Sequence, residues 1–340
     1  MSCARRRWLA GVAASAIVPS TLTSSPLAPL ALAPSAFAQS GAFPSKQVRI
    51  IVPQTTGGAS DGLSRIVAQE LSTRWNQRVL VENRAGAGGT IGSDAVAKAA
   101  PDGYTWLMSY SGTHAINPWL YKSLPFDTLK DLTPIAALAT LPFILVVNPK
   151  VPVRNLAELV ALAKANPDAV NMGSSGNGSV NHLIGEMFNS AAGIKMTHVP
   201  YKGVAGALTD LIGGQVQALV TSAPSVIQHI RSGAVRPLAA AATKRAAALA
   251  DVPTFGEAGY PTLNIDSWFA FFVPSATPPT LVREINAEIS MLLGTREIAD
   301  KFAALGADVM HTSLAAFSKI VIEDTDKWGK AVRDSGAKLD

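Results

Sequence analysis

Apolar and polar positions fall into blocks from Val48 onward. Val48 to Val52 is an apolar run broken only by Arg49, the pattern of a strand buried on both faces. Leu63, Ile66, Val67, Leu71 and Trp75 recur at helical spacing and predict a helix from about Ser60. Val79 to Val81 reads as the next strand. Ile91, Ala95, Val96 and Ala99 then mark a helix from about Thr90. The turn Pro101-Asp102-Gly103 leads into a strand over Thr105 to Met108. This β-α-β-α-β order predicts a parallel sheet with right-handed crossovers.

The alternation returns further on. A helix is predicted over Leu156 to Ala165, stopped by Pro167, and a strand over Val170 to Met172. The polar, glycine-rich stretch Gly173 to Ser179 follows, then a helix over Val180 to Ala192 and a strand over Met196 to Val199. Val204, Leu208, Leu211 and Ile212 mark a helix ended by Gly213-Gly214, and Val216 to Val220 a strand. Thr254 and Glu257 have the spacing of a capping box. Trp268 to Val273 is an apolar strand. Pro278 and Pro279 open a helix carrying Leu281, Ile285, Ile289 and Leu292, and two more helices are predicted around Arg296–Leu305 and Leu314–Arg333. The pattern divides into two α/β units joined by Leu138–Pro149, with the chain returning near Asp266. The expected boundaries are 43–142 plus 266–340 for the first unit and 143–265 for the second.

Composition sharpens this picture. A chain of 340 residues, 48% hydrophobic and 16% charged, suits about two globular domains. The first 38 residues stand apart. Arg5, Arg6 and Arg7 form a basic start, Trp8 to Val18 is apolar, and Ala36-Phe37-Ala38 fits a cleavage site, so residues 1–38 are expected to be an export signal. Arg5-Arg6-Arg7-Trp8-Leu9 suits a twin-arginine route as well as the general one; an uncleaved anchor is the alternative. Without this segment the chain has 26 basic residues against 24 acidic ones, a net charge of +2, which gives no reason to invoke nucleic acid. The single cysteine, Cys3, excludes a disulfide framework and a Cys-rich metal site. No run of 18 apolar residues follows residue 40, so no spanning helix is expected there.

Two loops occupy matching places in the two units. Gln54, Thr55, Thr56, Gly57, Gly58, Ala59, Ser60 and Asp61 link a strand to a helix, and so do Gly173, Ser174, Ser175, Gly176, Asn177, Gly178 and Ser179. In an open α/β sheet, ligands gather at the carboxyl ends of the strands. Backbone N–H groups at a helix N-terminus favour anions, glycine permits close approach, and Ser and Thr add hydroxyls. Two such loops could grip a carboxylate from both sides, at about 1.5–3 kcal/mol for each hydrogen bond to a charged group. An ordinary glycine turn is the alternative for either loop alone. A third loop, with Ser111, Thr113 and His114, follows the strand at Thr105 and should reach the same edge.

Catalytic motifs are scarce. Gly86-Ala87-Gly88 lacks the third glycine of a dinucleotide fingerprint, since position 91 is Ile. There is no Walker A match and no G-x-S-x-G elbow. The five histidines show no metal-ligand spacing, so no metal and no cofactor are expected. Asp61 reads either as a general base or as a first-turn acid satisfying backbone donors. A hydrolase using Asp61, His114 or His182 is therefore the rival of a binding protein, and a structural or adhesive protein is the third reading.

At this point the chain resembles the Bug receptors, the periplasmic substrate-binding components of tripartite tricarboxylate transporters. The resemblance runs from about Phe43 to the C-terminus. It is carried by Phe43-Pro44-Ser45-Lys46-Gln47-Val48-Arg49-Ile50-Ile51-Val52-Pro53, Gly57-Gly58-Ala59-Ser60-Asp61, Val81-Glu82-Asn83-Arg84 and Gly86-Ala87-Gly88-Gly89-Thr90-Ile91-Gly92. It continues through Ala100-Pro101-Asp102-Gly103-Tyr104, Gly173 to Ser179, His198-Val199-Pro200-Tyr201-Lys202-Gly203 and Asp251-Val252-Pro253-Thr254. It implies a type II-like Venus-flytrap α/β fold, two lobes each with a mostly parallel sheet, and a carboxylated ligand between them.

In that family the loops carrying Gly57, Gly58 and Asp61 and Ser174 to Ser179 hold a ligand carboxylate, partly through waters. The third loop and the segments around Tyr201 and Trp268 complete the pocket. Hinge motion is expected near Leu138–Leu145 and Asp266–Val273. The implied partners are a small carboxylate and membrane transporter subunits, with the receptor a monomer. The sequence departs from the family at Gln54, Thr55 and Thr56, where an aromatic and two prolines are usual. Ala85 replaces another proline. Thr221-Ser222 stand where an acid is common, which argues against an amino-acid ligand.

Overall fold

The strands Val48–Val52, Thr105–Tyr110 and Ser267–Pro274 form where apolar residues are covered on both faces, whereas Val79–Asn83 and Thr197–Pro200 are partly exposed edge strands. The computed structural model describes residues 43–338 except 168, so the expected leader over 1–38 lies outside the described residues. The chain runs through β1 (Val48–Val52), α1 (Ala59–Trp75), β2 (Val79–Asn83), α2 (Thr90–Ala97) and β3 (Thr105–Tyr110). A π-helical turn over Gly112–Ile116 then passes into α3 (Asn117–Leu120). Next come β4 (Leu132–Leu141), β5 (Phe143–Val147), α4 (Leu156–Ala165), β6 (Asn171–Ser174), α5 (Val180–Ala192) and β7 (Thr197–Pro200). They are followed by α6 (Val204–Gly213), β8 (Ala218–Ser222), α7 (Ala223–Arg231) and β9 (Arg236–Ala241). The chain closes with β10 (Ser267–Pro274), α8 (Pro279–Leu293), α9 (Arg296–Ala304), β11 (Asp308–Val309) and α10 (Leu314–Ser335).

Local chemistry fixes the helix ends near the candidate site. The Ser179 hydroxyl accepts from the His182 N–H and starts α5, and Gly193, with φ of 59°, stops it. Asn155 and Ser313 cap α4 and α10 in the same way.

The strands form two sheets, ordered β11-β4-β10-β3-β1-β2 and β7-β6-β8-β5-β9. Within each, three strands are parallel, β2-β1-β3 and β7-β6-β8, as the crossover pattern predicts. The remaining pairs are antiparallel, although four strands of each sheet, β1 to β4 and β6 to β9, share one direction. The reason lies in the crossings between sheets: β10 returns to insert between β3 and β4, and β5 enters between β8 and β9, each opposite in direction to both neighbours.

The stretch Leu138–Pro149 passes from the first sheet to the second as strand rather than as a loop. It holds the end of β4 and all of β5, with Pro142 alone between them. Leu141 pairs with Ser267, and Phe143 pairs with Ser222 and Ala241. These residues stand where β3, β6 and β8 also end, so the carboxyl edges of the two sheets meet at Pro142. The Ala223 N–H donates to the Pro142 carbonyl at 3.0 Å. Thr254 and Glu257 do form reciprocal capping bonds, at 2.7 and 3.1 Å, but around a turn rather than a helix.

Burial follows from this layout. One apolar cluster takes residues from both sheets, among them Leu107 and Trp268 from the first and Leu145 and Met172 from the second, with Phe188 of α5 and Phe317, Val321 and Trp328 of α10. The helix α10 packs on α3, β4 and α5, and so ties the two sheets together. A second cluster lies under α1 and α8, and a third under α6 and α7.

Candidate functional site

The loop between β1 and α1 is organised by one carboxylate. Asp61 lies in the first turn of α1 and is 5% exposed. It accepts from the Gly57 N–H at 3.0 Å, Arg65 Nε at 3.0 Å and Asn83 Nδ2 at 3.1 Å. Burial pushes its pKa up, but hydrogen bonds from Arg65, Gly57 and Asn83 and the Arg65 charge outweigh this and hold the carboxyl below its ordinary value. Asn83, at the end of β2, also donates to the Gln54 carbonyl at 3.1 Å. Thr55, Thr56, Gly57 and Gly58 are left exposed. Gln54 Nε2 donates to Thr113 Oγ1 at 3.1 Å, which brings the third loop to the first.

The loop between β6 and α5 is organised by neutral groups. Ser174 Oγ accepts from the Gly176 N–H at 3.0 Å and lies 2.6 Å from His198 Nε2 on β7. Ser175 Oγ donates to Asn181 Oδ1 at 2.9 Å, and Ser179 Oγ donates to the Gly176 carbonyl at 2.7 Å. The Gly178 N–H donates to His182 Nδ1 at 3.1 Å. The serine hydroxyls expected to serve as ligand donors are thus engaged inside the loop. Asn177 is exposed at its tip. Tyr201 follows β7; its N–H donates to the Ser174 carbonyl at 3.1 Å, and its hydroxyl donates to Asp210 at 2.7 Å. Burial and Asp210 push the phenol up to about 12.

The second loop packs beside the continuation of the third. A Cβ on Gly178 would lie 2.6 Å from Leu120 Cδ1, so this loop rests on α3, the element that continues the third loop. The family described as "Tripartite tricarboxylate transporter family receptor" matches residues 63–337. The chain belongs to this receptor family. It is 38% identical over 298 residues to Protein BugT of Bordetella pertussis, covering 87% of this chain and 91% of the relative. A solved R. palustris protein with adipate is 34% identical, covering 87% of this chain and 99% of the other, with a TM-score of 0.78. MatC from Rhodopseudomonas palustris with bound malate is 31% identical, covering 85% and 100%, with a TM-score of 0.74.

Other residues expected in the receptor's pocket sit deeper. His114 is 1% exposed and stacks on Phe272 at 4.2 Å, and burial drives its pKa down to about 3. Trp268 is buried beside it, and its indole N–H donates to Asp324 at 2.8 Å. Ser111 and Thr221 are fully buried at the ends of β3 and β8, and neither hydroxyl has a protein partner. A cavity of about 940 Å³ between α5, Gly259–Thr262 and the end of α10 touches none of the expected residues.

Ser174 beside His198 has the look of a nucleophile and its base. The serine is fully buried, however, and its oxygen already accepts from Gly176, so it has no line of attack on a substrate. The matching family and one solved relative, the periplasmic binding protein BugD, carry receptor and binding-protein names rather than enzyme names. Among the described residues, no group of three or more His, Cys, Asp or Glu could hold a metal, and no helix is long and apolar enough to cross a membrane.

Sequence reasoning missed Arg65, Asn83, Asn181 and His198 as loop supports. Arg65 had a signal, since it stands four residues after Asp61 on one helix face. Asn83 and His198 act from strands distant in sequence, whereas Asn181 lies in the first turn of the helix that follows the loop.

Proposed function

We propose that this receptor is a periplasmic solute-binding protein. It captures a small organic carboxylate, a dicarboxylate in the first instance, between the loops after β1 and β6. It then hands the ligand to the membrane subunits of a tripartite transporter or to a sensor. The lobes are 43–142 plus 266–340 and 143–265, the receptor acts as a monomer, and closure swings about the strand crossings. Backbone N–H groups of Gly58, Ser175 and Asn177 supply the anion contacts, with Gln54, Thr55, Thr56 and Tyr201 at the rim.

The observation that carries this reading is a collection of buried polar atoms without protein partners at the two meeting edges. They are Gln54 Oε1 after β1, Ser109 and Ser111 at the end of β3, Thr221 at the end of β8 and Ser267 at the start of β10. Each such group costs about 1–3 kcal/mol if left unmet, and a polar ligand with its waters meets them. The adipate and malate held by the two solved relatives are dicarboxylates of suitable size.

The test is thermal unfolding with adipate and with its neutral diamide. At a hundred times its Kd, a ligand adds about 2.7 kcal/mol. A shift with adipate alone is expected. It should vanish in Gly58→Leu, whose Cβ meets nothing nearer than the Thr55 carbonyl at 4.0 Å and therefore leaves the fold intact. Equal shifts with acid and diamide, or none with any small carboxylate, would defeat the reading.

A further inference from the structure

His182 lies in the first turn of α5, is 6% exposed and touches the second loop from below. Its Nδ1 accepts from the Gly178 N–H at 3.1 Å. A backbone N–H can only donate, so Nδ1 carries a lone pair and the ring proton sits on Nε2. That Nε2 is 3.8 Å from Glu186 Oε1. The His198 ring stacks on the His182 ring at 3.8 Å and 16°, and His198 Nε2 reaches Ser174. Two of the loop's anchor points, Ser174 and Gly178, are thus held by a pair of stacked imidazoles.

We propose that His182 is a positioning residue that keeps the Ser174–Ser179 loop in its ligand-holding shape only while Nδ1 is unprotonated, so that acid opens the loop and releases the ligand. The inference rests on the carboxylate reading above for its ligand and on hydrogen-bond geometry for its mechanism.

Protonation would set an Nδ1–H against the Gly178 N–H, donor against donor. Gly178 cannot simply turn aside. It has φ of +70°, and Leu120 presses on it from α3. Movement of Gly178 therefore disturbs both the loop and its contact with the first sheet. Two cations stacked at ring-contact distance also repel, so His198 opposes a charge on His182. The ionisable groups around the pair are few. Glu186 stands on the same helix, and Lys327, Lys330, Asp334 and Tyr260 line the neighbouring cavity with it. β6, β8 and α3 bring no ionisable side chain. Burial first, and His198 second, bring the His182 pKa down to about 4, and burial pushes Glu186 up. The loop is accordingly held at neutral pH and released in acid.

His182→Asn separates position from protonation, because Asn Oδ1 can accept the same N–H and does not titrate. The experiment measures adipate affinity by calorimetry at pH 7.5 and 3.5 for both proteins, and follows the Gly178 amide by NMR in ligand-free protein. Adipate's own protonation affects both proteins equally. With a midpoint of about 4, wild type should weaken about fourfold more than His182→Asn at pH 3.5. The Gly178 amide should move with that midpoint in wild type and stay still in the variant. Parallel loss of affinity in both proteins, or a Gly178 amide that ignores the titration, overturns the proposal. If adipate binds neither protein at pH 7.5, the carboxylate reading fails, and the Gly178 amide alone decides the role of His182.

Discussion

The loops after β1 and β6 occupy the same place in their sheets, yet they are held by opposite chemistries. The first is drawn around an ionised acid: Asp61 gathers Gly57, Arg65 and Asn83. The second is drawn around neutral acceptors: Ser174, Ser179, His182 and Asn181. The first leaves its threonines exposed, whereas the second turns its serines inward. A shared backbone frame thus does not require shared side-chain support. Similar glycine patterns say where a loop lies and little about what secures it.

The largest expected effect comes from crowding the second loop. Gly178→Val adds atoms against Leu120 and forces a branched side chain to positive φ. A loss of about 3 kcal/mol in urea unfolding is expected. Asp61→Ala comes next. It strips the first loop of its hub and leaves Gly57 and Asn83 without their acceptor, at a cost of about 2.5 kcal/mol. A loss below about 1 kcal/mol would show that the loop does not depend on its acid.

Acid should then tell the loops apart. The folded His182 value lies below its unfolded one, so the unfolded chain takes the proton first. That stability is complete above about pH 6.5 and declines as pH falls toward about 4. Asp61 is also depressed, but from 3.8, so its contribution is lost only as pH falls below that value. Within the His182 range and above that of Asp61, His182→Asn should gain about 2.5 kcal/mol on wild type at pH 4.5, compared with the difference at pH 7.5, in urea unfolding followed by circular dichroism. Asp61→Asn should show no such change over the same interval. The smallest effect belongs to Gly57→Ala. Gly57 has φ of 86°, but its Cβ would meet nothing within 4 Å, so only backbone strain of about 1 kcal/mol is expected.

Much of this frame was visible in the sequence. The limits of α4 and α5 follow from helical spacing and capping residues, β1 from an apolar run broken only by Arg49, and β10 from the apolar run Trp268 to Val273. β4 was not visible, because LTPIAALATL has neither alternation nor β-branched density, and its Pro134 argues against a strand. β9, RPLAAA, hides for the same reason and tolerates Pro237 because it is an edge strand. The positions of the two loops could be read from strand–glycine–helix order. The roles of their serines could not, since Ser174 is fixed by His198, a residue 24 positions away on another strand.

The insertion of β10 between β3 and β4 also sets an order of events during synthesis. Every strand of the second sheet lies within residues 143–241, so that sheet can assemble as soon as this stretch is available. The first sheet cannot. Its strands β1 to β3 and its strand β4 are joined only by residues 267–274, more than two hundred positions after the chain enters β1. Such distant pairing is slow to form. The half of the molecule that begins the chain is therefore the last to be finished, and a nascent chain stays open at its N-terminal side until the C-terminal helices arrive.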